Sequence, residues 1–160
     1  MALALMIMTY LVGGVGIYLS FGRMGDAGGY LELLALTTVG IVGVLSFIRH
    51  VVFHKSDARR MGWETDRPDW MFEVGFANLA FGFMGILGSL AHWGDRALVL
   101  IVLGYALYLF QAAMLHLYRF LTDAKRSPVR LWRSVLPATL YSGMMIWLAI
   151  AAATSGSSGF

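Results

Sequence analysis

The chain has 160 residues, of which 59% are hydrophobic and 13% charged, with a net charge of +3. Ordinary soluble domains are roughly 45–50% apolar and about 25% charged. This balance therefore excludes a soluble globular domain and removes the case for reading the positive charge as a nucleic-acid surface. Cysteine is absent, which excludes disulfides, thiolate metal sites and cysteine nucleophiles.

Five apolar segments follow one another, at 2–20, 31–54, 71–92, 96–121 and 131–153. At about 1.5 Å per residue each is long enough to cross a hydrocarbon core of roughly 30 Å. The expected fold is an all-α integral membrane helix bundle with five transmembrane helices, forming a single unit over residues 1–154. Residues 155–160, Ser-Gly-Ser-Ser-Gly-Phe, are linker-like and are expected to form a flexible tail, native or added.

The first segment lacks a basic n-region and reads as a retained span rather than a signal peptide. Its Gly13, Gly14 and Gly16 lower helix propensity but let a neighbouring helix approach. The second ends in Arg49, His50 and His54. The loop after it is predicted to hold a short helix capped by Ser56, running through Asp57 to Met61 and ended by Gly62. Trp63 and Trp70 are natural interface anchors.

The third segment opens with Glu73 and Asn78, and carries Gly75, Gly82, Gly85 and Gly88. That small-residue content predicts a closely packed, central helix. The fourth contains Gln111 and His116. The fifth follows Ser127-Pro128, a cap with proline at the first helical position. Pro137 is expected to kink it and free the carbonyl of Arg133.

Basic residues divide unequally between the two ends of such a bundle. Arg49, Lys55, Arg59, Arg60, Arg67, Arg119, Lys125, Arg126, Arg130 and Arg133 fall at one end, and Arg23 and Arg96 at the other. By the positive-inside rule the first end is cytoplasmic, with the N-terminus inside and the C-terminus on the opposite side. Lys125, Arg126, Arg130 and Arg133 are candidates for contact with anionic lipid headgroups.

Counting from the span ends places His50, Glu73 and His116 at one depth near the basic end. Ser46, Asn78 and Gln111 form a second layer about 7 Å deeper. An ionisable group inside a span is a functional-site hypothesis by default, so Arg49, His50, Glu73, Asn78, Gln111 and His116 are the candidate ligand-binding residues. Glu73 is expected at the centre of a polar pocket, with Arg49 or His50 as its partner. Three readings stay open. One is a structural role for these groups, in pairing, hydrogen bonding between helices and reaching phosphates. Another is a pocket for a small ligand, proton or ion. The last is a metal or haem site built from His50, His54 and His116, since His50 and His54 at i, i+4 share a helix face. No cofactor is specified by these residues. Nucleophile, phosphate-loop and dinucleotide motifs do not occur, so the expectation leans away from an enzyme.

Ile48-Arg49-His50-Val51-Val52-Phe53, then Gly62-Trp63-Glu64, then the run from Phe72-Glu73-Val74-Gly75-Phe76 to Ala77-Asn78-Leu79 form a recognisable pattern. It resembles an uncharacterised family of small bacterial polytopic membrane proteins. That resemblance covers residues 40–90, implies a bacterial inner-membrane location, and implies no activity. Its motif positions here are Arg49, His50, Trp63, Glu73, Gly75 and Asn78. The expected partners are the lipid bilayer and either further copies of the chain or a larger membrane complex in which it is an accessory subunit, with no nucleic acid.

Overall fold

The computed structural model describes residues 1–24, 29–63, 66–123 and 128–155, the side chains of Arg130 and Ser155 excepted. Among these residues the structure is all helical, with no strand. Helix α1 is Ala2–Phe21, α2 is Gly29–Val52, α3 is the short loop helix His54–Met61, α4 is Asp69–Leu90 and α5 is Asp95–Thr122. Helix α6 begins as a turn at Pro128–Arg130, passes through a π-helical stretch at Leu131–Val135 and continues as Leu136–Ser155. Five of the six are long and apolar enough to cross a membrane, and α3 is the exception.

The spans are built to face lipid. In α1 the buried positions are Ala2, Met6, Thr9, Gly13, Gly16 and Ser20, spaced at three and four residues, so one mostly small-residue stripe faces the bundle. Leu3, Ile7, Leu11, Val15 and Tyr18 point outward and are exposed. Large apolar residues outside and small ones inside reverse the pattern of a water-soluble helix.

The most enclosed span is α2, not α4 as the glycine content of the third segment predicts. Half of the apolar window of α2 is buried, against 33% in α4. The glycines explain the difference, because the seam they form has two sides. A Cβ at Gly43 of α2 would stand 2.6 Å from the Asn78 carbonyl oxygen and 2.8 Å from Gly82 Cα. The bare backbones of α2 and α4 therefore touch, and α2 gains further cover from α1 and α5.

Helix α2 is also irregular. It is π-helical at Ala35–Ile41 and again at Ile48–Val52, where each turn holds one residue more than an α-turn. The second stretch carries Arg49 and His50. It closes with the Phe53 N–H donating to the Ile48 carbonyl at 3.1 Å. Helix α3 then starts at His54, two residues before the predicted cap. Ser56 lies inside its first turn and accepts from the Ala2 N–H at 3.4 Å. Gly62 does end the helix, in a left-handed conformation at φ 70°. The irregular start of α6 falls just before Pro137, whose missing N–H leaves the preceding turn short of a donor.

The packing is uneven along the bundle. A main core of Leu31, Leu34, Val39, Val42, Leu98, Val102, Tyr105, Met145 and Leu148 fills the half remote from α3. A smaller cluster of Ala58, Met61 and Met71, flanked by Trp63 and Trp70, holds α3 at the basic end. Helix α5 packs closely on Gly29–Ile41 of α2 but not on its Val42–Val52 half. Toward the basic end α5 parts from α2 and a cavity opens between them, while α2 and α4 stay in contact along their length.

Candidate functional site

The cavity has a volume of about 160 Å³ and is lined from all five spans and from α3. Its polar wall includes Tyr10, Arg49, His50, Arg60, His116 and Arg133, and its apolar wall includes Met6, Met61, Leu109, Ala113 and Leu115. Among the described residues no carboxylate lines it. The volume is on the order of that of an engineered protein cavity that takes up benzene.

Beside the cavity lies a buried charge cluster centred on Asp57, whose side chain is wholly inaccessible. Arg60 donates to Asp57 Oδ1 from Nε at 2.9 Å and from Nη2 at 2.8 Å. On the other oxygen, His50 Nδ1 stands 2.8 Å away and Arg49 Nε 3.8 Å. These last approaches are close but out of line, leaving Asp57 Oδ2, His50 Nδ1 and Arg49 Nε buried without a well-aligned hydrogen bond. Arg49 Nη2 is 3.0 Å from His50 Nε2. A guanidinium only donates, so Nε2 accepts and the imidazole proton is assigned to Nδ1, facing Asp57. Burial acts to push the Asp57 carboxyl up. The His50 contact and the Arg49 and Arg60 charges outweigh it and hold the group at about 2.

Helix α3 is fixed in place from several sides. Arg60 Nη1 reaches Met6 Sδ on α1 at 3.3 Å. Trp63, just past Gly62, stacks on His116 of α5 with ring centroids 4.9 Å apart and planes at 19°. The Arg119 guanidinium lies over the same indole at 5.6 Å, and Trp70 packs beside it at 5.5 Å. These contacts carry α3 and the segment after it across the basic end to α5.

The floor is a closed hydrogen-bond network. Tyr105 donates to Asn78 Oδ1 at 2.7 Å. Asn78 Nδ2 donates to the Tyr108 hydroxyl at 3.1 Å and to the Val74 carbonyl at 2.7 Å. Asn78 thus holds α4 to α5, consistent with an interhelical polar contact inside a membrane.

The structure divides the sequence-predicted site residues. Arg49, His50, Asn78, His116 and Arg133 line the cavity. Glu73 does not, because it is exposed on the outer face of α4 while Asn78, five residues on, faces inward. Five residues turn a helix by about 140°, and the bundle uses the Asn78 side. Gln111 is likewise exposed on α5. His54 turns away, with Nδ1 2.9 Å from the Val51 carbonyl and its ring edge-on to Phe72. Among the described residues no three His, Asp or Glu side chains gather to hold a metal ion, and the ring nitrogens of His50 face Arg49 Nη2 at 3.0 Å and Asp57 Oδ2 at 2.8 Å. Lys125, Arg126 and Glu64 lie outside the described residues, as do 156–160 and the Arg130 side chain. Sequence reasoning passed over Asp57 and Arg60. Their signal was present as an i, i+3 acid–base pair whose acid is surrounded by basic neighbours.

Five apolar spans, a polar cavity at one end and a buried charge cluster beside it define a multi-pass helical membrane protein. The chain belongs to a family of unknown function, DUF6790, matched over residues 1–158. No curated protein and no solved structure matches it.

Proposed function

We propose that this protein is a bacterial inner-membrane protein whose basic end faces the cytoplasm and whose cavity binds a small anion there. The orientation rests on the ten-to-two distribution of basic residues between the ends. The anion reading is carried by one observation. Arg49, Arg60 and Arg133 line a single cavity, and among the described residues the carboxylate paired with them is Asp57. Arg49 and Arg60 are shared with that carboxylate, whereas Arg133 forms no ion pair among the described residues. An excess of guanidinium in a partly dry site favours an anion, and the planar forks suit carboxylate or phosphate oxygens. Tyr10, Ser46 and Ser134 add hydroxyl groups to the lining.

The activity is binding rather than catalysis. The test is thermal unfolding of the purified protein in nonionic detergent, titrated with phosphate, acetate and benzenesulfonate at fixed ionic strength. Saturable stabilisation by at least one anion, weakened in Arg133→Gln, is expected. A response that follows ionic strength alone, or that is identical in Arg133→Gln, overturns the reading.

A further inference from the structure

We infer that the ligand is a dianion, namely a phosphate monoester with an apolar substituent. The inference rests on the anion-binding reading above and deepens it. With the imidazoles counted as neutral, three guanidiniums against the Asp57 carboxylate leave two positive charges at the cavity among the described residues. A monoanion can meet only one of these two charges, while a dianion meets both, with Arg133 at the exposed edge of the site. A phosphate monoester is a dianion above its second pKa of about 6, and its three terminal oxygens can engage three guanidinium groups.

The remainder of the lining describes the substituent. Met6, Met61, Leu109, Ala113 and Leu115 form a wall without charge. The volume of about 160 Å³ holds roughly five waters' worth of ligand, which accommodates a phosphate head and the first few carbons attached to it. The same chemistry is offered by a soluble phosphate ester and by the headgroup of phosphatidic acid, whose chains would continue into the bilayer.

The experiment compares phenyl phosphate with benzenesulfonate, which have one ring and similar shape but carry two charges and one charge at pH 7.5. Binding to the full-length protein in nonionic detergent is followed by calorimetry at fixed ionic strength. Phenyl phosphate is expected to bind at least about tenfold more tightly, the size of one additional charge-assisted interaction. Arg133 is exposed, so Arg133→Gln is expected to fold, and the preference should shrink to about threefold or less. Equal affinities overturn the dianion inference and leave the anion reading standing. Binding of neither probe overturns both. A full preference retained in Arg133→Gln overturns the charge count. The source is read by repeating the titration in phosphatidylcholine nanodiscs with and without phosphatidic acid. Displacement by phosphatidic acid supports the inference with the lipid as ligand, and unchanged binding supports it with a soluble ester.

Discussion

Asp57 Oδ2 stands 2.8 Å from His50 Nδ1, which ties the end of a membrane-spanning helix to the loop helix that follows it. Both groups are buried, and Asp57 is shared by the guanidiniums of Arg49 and Arg60. Removing one member of such a set leaves the rest uncompensated. Breaking a buried ion pair costs on the order of 3–5 kcal/mol. Asp57→Asn keeps the shape and removes the charge, so it is expected to lower the melting temperature sharply. Glu73→Gln, on the exposed face of α4, is expected to leave it unchanged. Equal effects of the two would mean that the cluster is not what holds α3 in place.

The same carboxylate gives a pH dependence with a definite sign. Asp57 is held at about 2, below its ordinary value of 3.8. A depressed carboxylate contributes stability that is present above its unfolded pKa and is lost as pH falls through the folded one. The window is therefore from about pH 5 down to about pH 2, and the contribution is roughly 2 kcal/mol. Melting curves of wild type and Asp57→Asn, recorded across that window, should converge as the pH falls. A constant gap between them would contradict the assignment.

Trp63 joins α3 to α5 through His116, with Arg119 and Trp70 on its other contacts. An aromatic pair contributes about 0.5–1.5 kcal/mol beyond burial, and a cation over an indole face about 0.5–1 kcal/mol. Trp63→Ala is expected to destabilise the protein by about 2 kcal/mol, and Trp63→Phe by less. The check is the unfolding midpoint in detergent together with protection of α3 from proteolysis. Trp63→Ala should expose Arg59 and Arg60 to trypsin, whereas an unchanged digestion pattern would show that Trp63 does not hold the loop.

These effects mark where the sequence was legible. Five spans, their approximate limits and the Gly62 stop follow from hydropathy and backbone conformation, which are local properties. Counting turns from the span ends also places His50 and His116 at one depth, and both line the cavity, whereas Glu73, expected at its centre, does not. Rotation was not legible. Whether Glu73 or Asn78 faces inward depends on which side of α4 meets the Gly43 seam, a contact between segments far apart in the chain. The π-helical stretch at Ile48–Val52 further shifts Arg49 and His50 from their regular α-helical positions. Asp57 was passed over for a related reason. It sits in a hydrophilic loop segment, where a carboxylate normally needs no partner, and only the folding of α3 onto the bundle buries it.

The glycine seam provides a paired test of the packing. A Cβ at Gly43 meets backbone atoms of Asn78 and Gly82, which cannot move aside as a side chain can. Gly43→Ala therefore forces α2 and α4 apart. Overpacking of this kind costs typically about 1–3 kcal/mol. It should also disturb the cavity, since Asn78, Ser46 and His50 are carried on the two helices being separated. A Cβ at Gly14 of α1 meets nothing within 4 Å, and alanine is the better helix former there. Gly14→Ala is expected to be neutral or slightly stabilising. The two variants make the same chemical change in two spans, so a difference between their unfolding midpoints measures the helix contact alone. Equal midpoints would mean that α2 and α4 do not meet backbone to backbone.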